Sequence, residues 1–156
     1  MGIKDICSRM VVVAKGGTDL RQAARLMRDH HIGALIVIDG TEWATRPIGI
    51  VTDRDIVIAV VAAPGVRPES LTVRDVMARE LVVAHEDDGV FEAIEAMQDK
   101  GVRRLPVVTA EGRLIGVVTL DDLLRVLANE LGGLATAMQR AGRRETTERP
   151  VLQRGA

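Results

Sequence analysis

At 156 residues the chain has the length of a single domain, long enough to bury roughly 68–70% of its unfolded surface without disulfide or metal staples. Hydrophobic residues make up 47% of it and aromatics only 1%, which excludes general disorder, demands an aliphatic core, and argues against the aromatic stacking platforms of single-strand nucleic-acid binders. With 21 Lys and Arg against 22 Asp and Glu it lacks the basic excess of a DNA-binding domain; its one cysteine excludes an internal disulfide and fits a reducing compartment.

The chain repeats itself. Displaced by 70 positions, KDICSRMVVVA (4–14) lies over RDVMARELVVA (74–84); displaced by 67, IGIVTDRD (48–55) lies over IGVVTLDD (115–122). Each copy opens with a short helical turn and a β-branched run, Val11 to Ala14 and Leu81 to Ala84, which predicts a strand. Thr18 or Asp19, and Asp88, are the expected N-caps. Behind them Leu20, Ala23, Ala24 and Met27, and Val90, Ala93, Ile94 and Met97, follow the spacing of amphipathic helices. Strands are expected at Leu35–Ile38 and Leu105–Val108, then at Ile48–Val51 and Leu114–Val118. A helix closes each copy, Asp53 to Ala62 and Leu120 to Leu131.

The fold class read from this order is α/β (α+β): two β-α-β-β-α repeats related by a pseudo-twofold. Their three-stranded sheets pack together around one aliphatic core, with helices outside. The expected boundaries are 1–66 for repeat one, 67–131 for repeat two and 132–156 for a flexible C-terminal tail. The tail opens on a Gly pair, carries five Arg after residue 139, and has at most a short helix over Leu134 to Ala141. The longest apolar run, Ile56 to Ala63, is far short of the roughly 20 residues that cross a bilayer, and the first residues have no apolar signal region. A cytoplasmic protein without membrane or nucleic-acid partners is expected.

The repeated Thr-x-x-Asp carries the chemistry. Thr52 and Thr119 stand where a strand turns into a helix, and unpaired N–H groups there, with the hydroxyl, suit phosphate oxygens. Asp55 and Asp122, three residues on, suit the two hydroxyls of a ribose. The same spacing is also that of a capping box, which needs no ligand. Arg54 places a cation beside the first signature, where the second has Leu120 and Asp121. Gly33-Ala34 of the first copy corresponds to Arg103-Arg104 of the second: small residues let a base approach the backbone, and two arginines clamp phosphates or form a solvated pair. Any flat ring bound beside these groups would rest on the aliphatic Ile32, Val102 and the strand ends near Val13 and Val83, since the sequence has almost no aromatics. Asp29, His30, His31 and His85 are weak metal candidates, Cys7 reads as a small packing residue, and Trp43 is a candidate contact residue in a loop.

The strand starts IGALIVID and VRRLPVVT, the signatures GIVTDRD and GVVTLDD, and the turns KDIC and RDVM together resemble a pair of cystathionine-beta-synthase (CBS) domains, a Bateman module, over about residues 3 to 131. Pro106 keeps a proline that the family often has, while Ile36 replaces it in the first copy. The resemblance implies a non-enzymatic regulatory module, with no cofactor required, that binds AMP, ADP, ATP or S-adenosylmethionine between the repeats. It also implies a homodimer and an effector protein on another chain. The alternative is a ligand-free structural protein acting through dimerisation.

Overall fold

The computed structural model describes residues 2–40 and 45–148. It divides into two units, residues 1–120 and 121–156. Within the first, α1 (Ile3–Ile6), β1 (Val13–Lys15), α2 (Leu20–Asp29), β2 (Ala34–Asp39) and β3 (Arg46–Thr52) are followed by α3 (Asp53–Ile56), which widens into a π-helical turn over Val57–Val61. After a 3₁₀ turn at Pro68–Ser70 the order recurs as α4 (Val73–Val76), β4 (Ala84–His85), α5 (Val90–Lys100), β5 (Arg104–Val108) and β6 (Leu114–Thr119). The last helix, α6 (Leu120–Glu148), supplies the second unit from Asp121 onward.

Two three-stranded sheets result, ordered β1-β2-β3 and β4-β5-β6, each with a parallel first pair and an antiparallel second pair. The duplication extends to irregularities: the antiparallel register shifts between Val37 and Ile38 in one sheet and between Val107 and Val108 in the other. Leu35, Ile36 and Val37 are all buried, as are Leu105, Pro106, Val107 and Val108, because each middle strand is covered on both faces. On α2 the buried stripe is Leu20, Ala23 and Met27, and on α5 it is Ala93 and Met97; Ala24, expected on the stripe, is exposed.

The short leading helices are exchanged between repeats. The Ile3 N–H donates to the Asp88 carbonyl and Ser8 bridges Val117, so α1 sits on the second repeat. Reciprocally, the Val73 N–H donates to the Thr18 carbonyl and Ala78 bridges Ile50, so α4 sits on the first. Val73, wholly buried, joins the core of Leu20, Leu35, Val37 and Val51. Two strand glycines make room for the crossing. A Cβ on Gly49 would come within 2.6 Å of Met77 Sδ and 2.8 Å of the Ala78 carbonyl; on Gly116 it would meet Cys7 Sγ at 2.7 Å and the Ser8 carbonyl at 2.8 Å. Cys7 and Met77 thus fill equivalent places. The expected boundary between residues 66 and 67 divides the sequence, whereas in space the segments 3–8 and 73–78 belong to the opposite repeat.

Local expectations need three corrections. Asp19 caps α2, accepting from the Gln22 N–H at 2.8 Å, but Gly89 rather than Asp88 precedes α5. Glu92 accepts from the Gly89 N–H at 2.6 Å, and Asp88 instead accepts from the His85 N–H at 2.7 Å. The strands expected to begin at Val11 and Leu81 begin at Val13 and Ala84. The closing helix, expected to end at Leu131, runs through Gly132 and Gly133 to Glu148. A glycine costs a helix only about 1 kcal/mol relative to alanine, and the Leu, Ala, Met, Gln and Arg around the pair are good helix formers. Trp43 and residues 149–156 of the expected tail lie outside the described residues.

Candidate functional site

Two clefts open between the repeats of the first unit. The larger, about 520 Å³, brings Thr52, Asp53, Arg54 and Asp55 of the first signature against Leu81, Val82, Val102, Arg103 and Arg104 of the second repeat. The smaller, about 340 Å³, brings Thr119 and Val117 against Val11, Val12, Ile32, Gly33 and Ala34 of the first. Each signature therefore faces the strand starts of the opposite copy, so Arg54 and the Arg103-Arg104 pair stand in one cleft. Both volumes fall within the roughly 300–1,000 Å³ usual for small-molecule sites.

In the larger cleft the guanidiniums of Arg54, Arg103 and Arg104 enter no salt bridge among the described residues. Of the acidic side chains there, Glu80 is paired with Lys100 at 3.3 Å. Asp53 turns one oxygen onto the Arg54 N–H at 2.7 Å. Asp55 Oδ2 accepts from the Thr52 N–H at 2.8 Å and from the Thr52 hydroxyl at 2.7 Å, while the Thr52 hydroxyl oxygen accepts from the Asp55 N–H at 3.2 Å. The capping box is real and leaves Asp55 Oδ1 outside it.

This geometry corrects the phosphate expectation. The helix-start N–H groups are taken: Asp53 N–H by the Gly33 carbonyl, Arg54 N–H by Asp53, and Asp55 N–H by Thr52. In the second copy the Leu120 N–H donates likewise to the Arg103 carbonyl. Positive charge comes from arginine side chains, not from open backbone donors. The smaller cleft has a different character: Arg104 and His31 are its basic groups, and its walls are aliphatic, with Met10, 91% exposed, at the edge.

Several residues singled out in the sequence stand elsewhere. Val13 and Val83 do not line the clefts; Val12 and Val82 do, one residue earlier in both copies, because Val13 is already paired in β1 with Ile36 and the pleat turns it away. Pro106 is fully buried in β5 opposite Val117 and lines neither cleft. Leu81 and Met10 were missed, although their equivalence to Val11 and Glu80 in the repeat alignment was a usable signal. Among the described residues no cluster of three His, Cys, Asp or Glu side chains is placed to hold a metal. None of their helices is long and apolar enough to cross a membrane.

The comparisons with known proteins agree with this architecture. An uncharacterized protein of Methanopyrus kandleri is 37% identical over 126 residues, 81% of this chain and 62% of that one, so the chain spans less than two thirds of that relative. Hypoxic response protein 1 of Mycobacterium tuberculosis is 35% identical over 124 residues, 80% of this chain and 83% of that one. The solved CBS domain pair of protein MJ0100, in complex with 5′-methylthioadenosine and S-adenosyl-L-methionine, superposes with a TM-score of 0.70 at 28% identity. It covers 83% of this chain and 98% of that one. The family model of the CBS domain matches twice, at residues 3–62 and 73–129, and the chain belongs to the CBS domain family as a tandem pair of its repeats.

Proposed function

We propose that the protein is a non-enzymatic regulatory module that binds an adenine nucleotide or related adenosyl ligand in the clefts between its repeats. The observation that carries this reading is the larger cleft. Three arginines without salt-bridge partners among the described residues line it together with Thr52, Asp55 and the aliphatic Leu81, Val82 and Val102. The arginines suit phosphate, Asp55 Oδ1 suits a ribose hydroxyl, and Val102 offers a flat apolar rest for a base. The MJ0100 pair, with its two adenosyl ligands, supports the ligand class.

A thermal-shift series with AMP, ADP, ATP, S-adenosylmethionine and NADH tests this. The true ligand at 100 times its Kd should add about 2.7 kcal/mol of stability. Asp55→Ala should weaken binding by about tenfold to a hundredfold, the value of a hydrogen bond to a charged group. It should also lower stability by about 1 kcal/mol through the lost cap. Lost stability with unchanged affinity would leave Asp55 as a cap alone. No shift with any of these compounds would favour the alternative, a ligand-free interaction protein, which the internally satisfied helix start supports.

The module acts as a homodimer in the cytoplasm and on an effector carried by another chain. Support for self-association is apolar surface on each unit. Val57, Ile58 and Val61 are 51%, 54% and 78% exposed on the π-helical turn. On α6, Leu124, Leu131, Leu134 and Met138, all at least 55% exposed, fall with Leu127 on a three-four spacing that makes one seam along the helix. Light scattering that finds a monomer at tens of micromolar would overturn the dimer.

A further inference from the structure

Arg104 lines both clefts, and of the residues common to the two it is the one that carries charge; Gly33 and Ile50 are the others. It stands at the first position of β5, paired across the sheet with Thr119, and its side chain is half-buried. The larger cleft has two further arginines, Arg54 and Arg103, whereas the smaller has Arg104 alone.

A guanidinium is a planar fork, and once it grips one phosphate bidentately it is committed to that anion and lost to a second in the neighbouring cleft. We propose that Arg104 is a shared anion ligand that makes the two clefts antagonists for phosphorylated ligands. A phosphate in the larger cleft draws Arg104 to itself and strips the smaller cleft of its arginine. An uncharged nucleoside in the smaller cleft needs no such partner and binds regardless of its neighbour. By linkage the antagonism is reciprocal. The protein would then hold one phosphorylated and one unphosphorylated ligand in preference to two nucleotides. This inference rests on the reading of the clefts as adenosyl sites.

The test uses the full chain, with AMP and adenosine as probes and the ε-methyl NMR signal of Met10 as reporter of the smaller cleft. Removing two positive charges by Arg54→Ala with Arg103→Ala weakens the larger cleft and releases Arg104. The smaller cleft should then bind AMP about tenfold to a hundredfold more tightly than in wild type, the value of one charge-assisted contact. Its affinity for adenosine should not change. Adding Arg104→Ala should abolish the gain. Unchanged or weakened AMP binding at Met10 in the double variant would overturn the shared-ligand inference and leave the adenosyl reading intact. If neither probe moves any signal of the wild-type protein, the adenosyl reading itself fails and this inference with it.

Discussion

The two repeats use the same backbone position for the same task and different side chains for different ends. The Gly33 carbonyl accepts the N–H of Asp53 at 3.0 Å, and the Arg103 carbonyl accepts that of Leu120 at 2.9 Å. Each bond ties a strand start to the helix that follows the signature. The side chains at these positions, Gly33-Ala34 against Arg103-Arg104, leave one cleft aliphatic and give the other its charge. Duplication therefore preserved what backbone geometry requires, and the clefts diverged where side chains point into solvent-filled space. A second pair of positions makes the same point. Gly101 ends α5 in the left-handed region at φ 63°, where it belongs, while the equivalent His31 holds φ 54° with a side chain attached.

The crossing segments should show the largest effect. Gly49→Val and Gly116→Val each drive a side chain into the exchanged segment, and a loss of about 3 kcal/mol is expected from chemical denaturation, the upper end for overpacking. Alanine sharpens the comparison. Met77 is a long thioether that can swing aside, whereas Cys7 is short, so Gly116→Ala should cost more than Gly49→Ala. Equal costs would mean that the backbone carbonyls at 2.8 Å, common to both sites, decide the matter.

The helix ends come next. Gly101→Ala should destabilise by about 1–2 kcal/mol, the cost of a Cβ in the left-handed region, and His31→Gly should stabilise by about 1 kcal/mol. Melting temperatures of the two variants would then move in opposite directions. If His31→Gly lowers stability, the imidazole makes contacts that outweigh its backbone strain.

The smallest effect belongs to the capping pairs of the exchanged helices. Asp75 Oδ2 accepts from both the N–H and the hydroxyl of Thr72, each at 2.8 Å, while Asp5 accepts from the Gly2 N–H alone at 2.9 Å. The Thr72 N–H, and after it the hydroxyl, hold the Asp75 carboxyl below the ordinary carboxylate range. A lowered folded-state value means that stability is present above the unfolded carboxylate value and is lost as pH falls through the folded one. Asp75→Asn should therefore lower the melting temperature at pH 7 more than Asp5→Asn does, and its deficit should shrink below about pH 4. A pH-independent deficit would assign the loss to packing.

Much of the molecule was legible along the chain. The β-branched runs, the Leu20–Ala23–Met27 spacing and the two signatures are local patterns, and local patterns report which segments form strands and helices. Two displacements of the sequence against itself were enough to find the duplication. The weaker readings failed where a local signal was ambiguous. Asp88 is a good N-cap type, yet the Glu92 carboxylate bound one residue later and fixed Gly89 there instead. Gly132-Gly133 reads as a break, but its neighbours carry the helix across it. Val13 and Val83 were each one residue out, because a pleat reverses the face at every step and the strand's starting point is not marked in the sequence.

The sequence by itself determined the duplication, the aliphatic cores, the order of elements and the residue types at each signature. The tertiary structure alone decided which copy's signature meets which copy's strand start. That choice follows from the exchange of residues 3–8 and 73–78 between repeats, held by Ser8 with Val117 and Ala78 with Ile50. Pairings between segments so far apart leave no period in either one, and in a duplicated chain both partners carry the same pattern. The packing of Val73 into the first core, with Leu71, Val76 and Met77 beside it, belongs to the crossed arrangement. The same packing places Arg54, Arg103 and Arg104 in one cleft rather than dividing them between two.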